Sequence, residues 1–309
     1  MNKIIFMGTP EFAVPSLKKL IENKNFEILA VITAPDKPVG RKQTLTPPPI
    51  KVLAQKNKFL ILQPEKIKTI ELEIKNLKPD LIIICAYGKI IPQSILDIPK
   101  YGCLNVHPSL LPKHRGPSPI QWAILEGERE TGVSIMLVDE KMDHGPILAQ
   151  QKIESDALTH QELAPKLAEL GAELLIKTIP QWINKEIKIE PQDESLATYS
   201  KIIKKEDGKI NWQKSAEALE RQIRAFNPWP GTFTFWQNKK LKIIQADLGN
   251  QKTMDLTAGK IFLDENKKVS VACGGGYLIL EKIQLEGKKE MDINEFLKGH
   301  PEIIGNILE

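Results

Sequence analysis

The chain has 309 residues, 41% of them hydrophobic and 27% charged, with a formal net charge of +4. That is an ordinary globular composition, long enough for about two domains. Its three scattered cysteines (Cys85, Cys103, Cys273) exclude a disulfide framework or a paired-cysteine zinc site, and its longest apolar run, residues 81–87, is strand length and not a membrane span.

Residues 3–7 (KIIFM) read as a short apolar strand, and residues 10–25 follow with Phe12, Val14, Leu17, Leu20 and Ile21 near helical spacing. The opening is too soon broken by Gly8 and Pro10 for a signal peptide, so a cytoplasmic setting is expected. Residues 26–33 are a second strand. Helices are expected from residue 50 to 56 and from 65 to 77. Residues 81–86 (LIIICA) are a strand apolar on both faces, as in parallel sheets. Residues 103–107 are the next strand. Residues 134–138 and 147–153 are close enough to form an antiparallel pair.

Residues 159–182 read as a long helix, with Thr159 as cap and Glu162 at the capping-box spacing. Strands alternating with helices predict a doubly wound α/β domain. Residues 187–200 are polar and irregular, and residues 215–225 are helical. After Gly231 come five short strands (TFTFW, LKIIQA, KIFL, KVSVAC, YLILEKIQL), the pattern of an OB-like β-barrel.

Charge is unevenly placed. Residues 37–58 carry six basic residues (Lys37, Arg41, Lys42, Lys51, Lys56, Lys58) and no acidic one, whereas residues 206–309 hold 15 of each sign. A local basic segment can attract phosphate, although solvation is the commoner meaning of such a cluster.

The turn after the first strand, MGTPEF, has one glycine followed by Pro10. It lacks the glycine pattern that brings backbone amides onto a pyrophosphate, which disfavours a nicotinamide cofactor. Asn105 and His107 lie two apart on a strand and so share a face. Pro108, Pro112, Pro117 and Pro119 then stiffen the loop NVHPSLLPKHRGPSPIQWAI. Asp143, in KMDHGPI, is ordinary turn chemistry; it could also reach back to orient the His107 ring. An amide donor, an imidazole and a carboxylate together suit acyl transfer: Asn105 to polarise a carbonyl, His107 to move protons, Asp143 to orient. With no serine elbow or cysteine nucleophile beside them, direct transfer to an amine or water is favoured over a covalent enzyme intermediate.

The stretch NVHPSLLPKHRGPSPIQWAILEGERETGVSIMLVDEKMDHGPIL resembles the catalytic segment of the folate-dependent formyltransferases. The resemblance implies a Rossmann-like catalytic domain over residues 1–189, with Asn105, His107 and Asp143 as the catalytic trio. It also implies that Ser109, Leu110, Leu111 and Pro112 bind 10-formyltetrahydrofolate. DKPVGRKQTLTPPPIKVLA resembles the acceptor-stem loop of the branch of that family that acts on methionyl-tRNA, which makes Lys37, Arg41 and Lys42 the implied tRNA contacts. YSKIIKKEDGKINWQKSAEALERQIRAFNPWPGTFTFW resembles the start of that branch's C-terminal domain. A linker over 190–205 and an OB-like tRNA-binding domain over 206–309 follow. The implied reaction is formyl transfer to initiator methionyl-tRNA by a monomer, with no metal and no membrane. A sugar-nucleotide formyltransferase and a formyl-folate hydrolase would share the trio.

Overall fold

The computed structural model of the chain describes residues 1–40, 43–249 and 256–309. The chain groups into two compact units: Met1–Pro119, Glu130–Glu154 and Ala164–Lys201 in one, Ile120–Arg129, Ser155–Leu163 and Ile202–Glu309 in the other.

In chain order the elements are β1 (Asn2–Gly8), α1 (Val14–Glu22), β2 (Phe26–Ile32), β3 (Lys37–Val39), β4 (Thr44–Thr46), α2 (Pro49–Lys56), β5 (Ile61–Leu62), α3 (Glu71–Leu77), β6 (Leu81–Cys85), α4 (Gln93–Leu96), β7 (Cys103–His107), α5 (Pro119–Leu125), β8 (Glu130–Leu137), β9 (Ile147–Glu154) and α6 (His160–Ile183). Among the described residues, the first unit's main sheet has seven strands in the order β5-β2-β1-β6-β7-β8-β9. The strands from β5 to β7 are parallel, and β8 and β9 are antiparallel to their neighbours. The winding reverses between β1 and β6, the switch point outside which open α/β sheets take ligands.

The continuous apolar runs make this sheet buried on both faces. Ile5, Met7, Ile82 and Ile84 pack on one face with Ile74 of α3 and with Ile95 and Leu96 of α4. Each such side chain stabilises the fold by ~1.5–3 kcal/mol. On the other face α6 comes close enough that a Cβ at Gly171 would lie 2.7 Å from Val106 Cγ1. Asn105 and His107 therefore face away from α6, because successive residues of a strand alternate.

The expected helix over 65–77 is divided into a 3-10 turn, Ile67–Ile70, and α3. Helix α5 begins at Pro119, inside the proline-rich loop. Proline fits a helix's first position, where its missing N–H has no partner to lose. At the start of α6 the capping box is reciprocal: Glu162 N donates to Thr159 Oγ1 at 3.3 Å and Thr159 N to Glu162 Oε2 at 2.9 Å. Of the stretch expected as a linker, residues up to Lys201 pack with the first unit.

The second unit contains α7 (Ala216–Phe226), β10 (Thr232–Trp236), β11 (Lys239–Leu248), β12 (Ile261–Leu263), β13 (Val269–Ala272), β14 (Tyr277–Leu285), β15 (Met291–Asp292) and α8 (Ile293–Gly299). Among the described residues its sheet is antiparallel, in the order β10-β11-β14-β13-β12 with β15 beside β14. It curls around Trp212, Leu219, Ile223, Trp236, Leu241 and Leu280. Residues 305–309 bridge its two edges. Gly305 N donates to Ile261 O and Leu308 N to Gly259 O on the β12 side, while Phe235 and Glu309 exchange both backbone bonds on the β10 side. This is how the barrel-like closure expected from the strand run is made. Among the described residues, no helix is long and apolar enough to cross a membrane.

Candidate active site

The first unit brings Asn105, His107 and Asp143 together. Asn105 and His107 come from β7, as the alternation requires. Asp143 comes from the β8–β9 loop, which folds back along β7 and holds this residue in the left-handed region at φ 47°. Asn105 Nδ2 lies 3.4 Å from Asp143 Oδ1, and His107 Nδ1 lies 3.7 Å from the same oxygen. The carboxylate's other oxygen, Oδ2, accepts the backbone N–H of Gly116 at 2.7 Å.

His107 is 4% exposed, and its Nε2 lies 3.1 Å from the backbone carbonyl of His114. A carbonyl only accepts, so Nε2 carries the proton. In the neutral ring the lone pair is then on Nδ1, the atom facing Asp143. That arrangement can take a proton at Nδ1 and meet the resulting cation with a carboxylate.

The loop after His107 is tied internally. Ser109 Oγ donates to Lys113 O at 2.6 Å, so its hydroxyl proton is committed within the loop. Leu111 N donates to Ser134 Oγ at 3.1 Å, and Leu111 O accepts from Gln150 Nε2 at 2.8 Å. Leu111 is buried, while Leu110 and Pro112 are half-buried. Beside these bonded groups, the side chains of Leu110, Leu111 and Pro112 form an apolar wall.

Residues 192–200 line the back of this loop. Thr198 O accepts from Arg115 N at 2.9 Å, and Thr198 Oγ1 accepts from His114 N at 2.8 Å. Ser200 N donates to Arg115 O at 2.7 Å. Arg115 has no exposed surface, yet all five of its side-chain N–H groups have an acceptor. Nε and Nη2 donate to Gln192 Oε1, Nη1 and Nη2 to Glu194, and Nη1 to the Tyr199 hydroxyl. The Glu194 carboxylate raises the Arg115 guanidinium's pKa, and Arg115 in turn lowers the Glu194 carboxyl's.

A surface depression of about 370 Å³ lies apart from the trio, lined by residues that follow β5 and β6: Glu65, Lys66, Ile67, Lys68, Lys89, Ile90 and Pro92. Lys89 Nζ is bound there to the carbonyls of Pro64 and Glu65.

The second unit gathers basic and aromatic side chains on the outer face of the β10–β11 hairpin. Thr232, Thr234 and Trp236 are buried, so Phe233 and Phe235 point outward, opposite Lys242 and Lys240. Lys240 Nζ lies 3.4 Å from the Phe233 ring centroid, and Lys209 Nζ 5.5 Å from that of Phe235. Burial, then the charges of Lys205 and Lys242, lower the pKa of Lys240.

A family profile described as formyl transferase matches residues 2–179, and one described as formyl transferase, C-terminal domain, matches residues 202–301. The chain belongs to the formyl transferase family. One relative, the methionyl-tRNA formyltransferase of Geobacter sulfurreducens, is 43% identical over 96% of this chain and 93% of its own length. Among solved structures, methionyl-tRNA formyltransferase from Clostridium thermocellum aligns with a TM-score of 0.57 at 20% identity, over 82% of this chain and 96% of that one. HypX from Aquifex aeolicus in complex with tetrahydrofolic acid aligns with a TM-score of 0.62 at 18% identity, over 96% of this chain and 47% of that one. At these identities the structural likenesses concern the fold, and it is a formyl transferase fold.

For this formyl transferase, Lys37 is exposed on β3 in the β3–β4 hairpin. Arg41 and Lys42 lie outside the described residues. Sequence reasoning missed Arg115, Gln192, Ser134 and Gln150. Arg115 carried one signal, a basic residue in a proline-rich loop. Gln192 carried none, because its partners are 77 and 49 positions away.

Proposed function

We propose that the chain transfers the formyl group of 10-formyltetrahydrofolate to the α-amine of methionyl-tRNA, the initiator species, in the cytoplasm. The convergence of Asn105 and His107 on Asp143 Oδ1 carries the chemical part of this reading. The 43% identity to a methionyl-tRNA formyltransferase over nearly the whole chain supports the choice of acceptor.

The folate substrate supplies an activated formyl carbon. The apolar side chains of Leu110, Leu111 and Pro112 fit its flat rings. Asn105 donates an N–H to the formyl oxygen as negative charge develops on it. His107 takes a proton from the attacking amine at Nδ1 and returns it to the leaving nitrogen as the new C–N bond replaces the old one. Asp143 holds the ring's charge in between. General acid–base transfer supplies ~10²–10⁴-fold, and one oxyanion donor ~10²–10³-fold. Lys37, Arg41 and Lys42 contact the acceptor end of the tRNA. The Phe233–Lys240–Lys242 face of the second unit meets phosphate elsewhere on it.

The test is formyl transfer from 10-formyltetrahydrofolate to charged initiator and elongator tRNA, with folate turnover followed in a tRNA-free control. Formyl-methionine on the initiator alone is the expected result. Folate turnover without tRNA makes the protein a hydrolase, and transfer to an amino-sugar nucleotide instead moves the acceptor. In the same assay His107→Ala loses ~10²–10⁴-fold in turnover; near-normal turnover removes His107 from the mechanism.

A further inference from the structure

Gln192 sits between the buried guanidinium of Arg115 and the backbone of the Asp143 loop. Its Oε1 accepts from Arg115 Nε at 3.0 Å and Nη2 at 2.9 Å. Its Nε2 donates to Asp143 O at 2.9 Å and Gly145 O at 2.7 Å. Two donors and two lone pairs are therefore all in use. A flipped amide would set N–H against N–H and oxygen against oxygen at all four contacts, so Arg115 determines which end of Gln192 faces the loop. Arg115 is itself immobilised by the bidentate Glu194 pair, at 3.0 and 2.6 Å.

We propose that Gln192 is a positioning residue for Asp143, oriented by Arg115. This rests on the reading above that Asp143 serves His107. The reason lies in the loop's backbone. Asp143 is held at φ 47°, a strained left-handed conformation that a non-glycine residue keeps only where its surroundings impose it. Gln192 imposes it by holding the carbonyls of residues 143 and 145 together, while Gly116 N–H holds the carboxylate from the other side. Released, the backbone relaxes and the carboxylate leaves the 3.7 Å separation from His107 Nδ1. A misplacement of about 1 Å at a reacting group costs up to ~10²-fold.

The experiment measures kcat and KM for both substrates with the full chain carrying Gln192→Glu, Gln192→Ala, Asp143→Asn or His107→Ala, each checked by thermal melting. Gln192→Glu keeps acceptor oxygens for Arg115 but has no N–H for the loop. The proposal expects this folded variant to lose about 10-fold or more in kcat, with KM little changed. Asp193→Ala, which removes only the local cap on Ser195, retains kcat. Wild-type kcat in Gln192→Glu overturns the proposal, because Gln192 would then only fill space beside Arg115. A raised KM with unchanged kcat also overturns it, making Gln192 a binding residue. If Asp143→Asn and His107→Ala keep their turnover, the site reading itself fails, whatever Gln192 does.

Discussion

Gly116 donates its backbone N–H to Oδ2 of Asp143 at 2.7 Å, which leaves Oδ1 turned towards Asn105 and His107. The residue that braces the carboxylate is thus next in sequence to Arg115, whose side chain orients Gln192 on the other side of the same loop. One short segment holds Asp143 through a main-chain bond in front and a side-chain relay behind.

Gly116→Ala tests the first of these. Gly116 has φ 107°, and a Cβ there would lie 2.8 Å from the backbone oxygen of Ser200, which cannot rotate away. The substitution is expected to destabilise the fold by roughly 1–3 kcal/mol and to slow turnover. The urea midpoint and kcat check it; an unchanged midpoint with normal turnover means the segment tolerates the shift.

Acid should weaken the brace through Glu194. Arg115 holds that carboxyl below its ordinary range, against an opposing contribution from burial. A depressed carboxylate contributes stability that is fully present above its unfolded value, about 4. That stability is lost as pH falls through the lower folded value. Glu194→Gln is therefore expected to melt earlier than wild type at neutral pH and to converge with it below about pH 4. Melting curves across pH decide; parallel curves at every pH mean that Glu194 contributes nothing through its charge.

Phosphate binding by the β10–β11 face predicts a salt signature. Removing Lys240 or Lys242 should weaken tRNA binding and reduce the slope of log K against log salt by ~0.7–0.9 for each phosphate left without its lysine. Folate binding should be unaffected. An unaltered slope in the double variant would move the tRNA to another surface.

Edge bridging by residues 305–309 predicts that deleting Ile307, Leu308 and Glu309 destabilises the second unit. Leu308 is 3% exposed, and burying such a side chain is worth ~1.5–3 kcal/mol. The Phe235–Glu309 exchange and the Leu308–Gly259 bond add ~0.5–1.5 kcal/mol for each hydrogen bond. Calorimetry of the truncated chain should show an earlier transition; an unchanged one means the sheet holds its curl without the bridge.

Much of the fold and part of the site are legible in the sequence. Period-two alternation places Asn105 and His107 on one face, and continuous apolar runs mark β1 and β6 as buried parallel strands. The capping box at Thr159 is readable because its partners are three positions apart. Less visible is α5, since Pro119 reads as a breaker until it occupies a first helical position. Residues 65–77 show helical spacing, but only their second half winds as an α-helix.

The difference is one of range. Side-chain periodicity, proline stiffness and capping act over a few neighbours, so a linear reading recovers the elements and the shared face of Asn105 and His107. Asp143 meets His107 across 36 positions and Gln192 meets Arg115 across 77. Those meetings depend on how β8 returns beside β7 and on where residues 192–200 lie down. A buried guanidinium needs every N–H satisfied, and only the packed unit decides which distant oxygens do so.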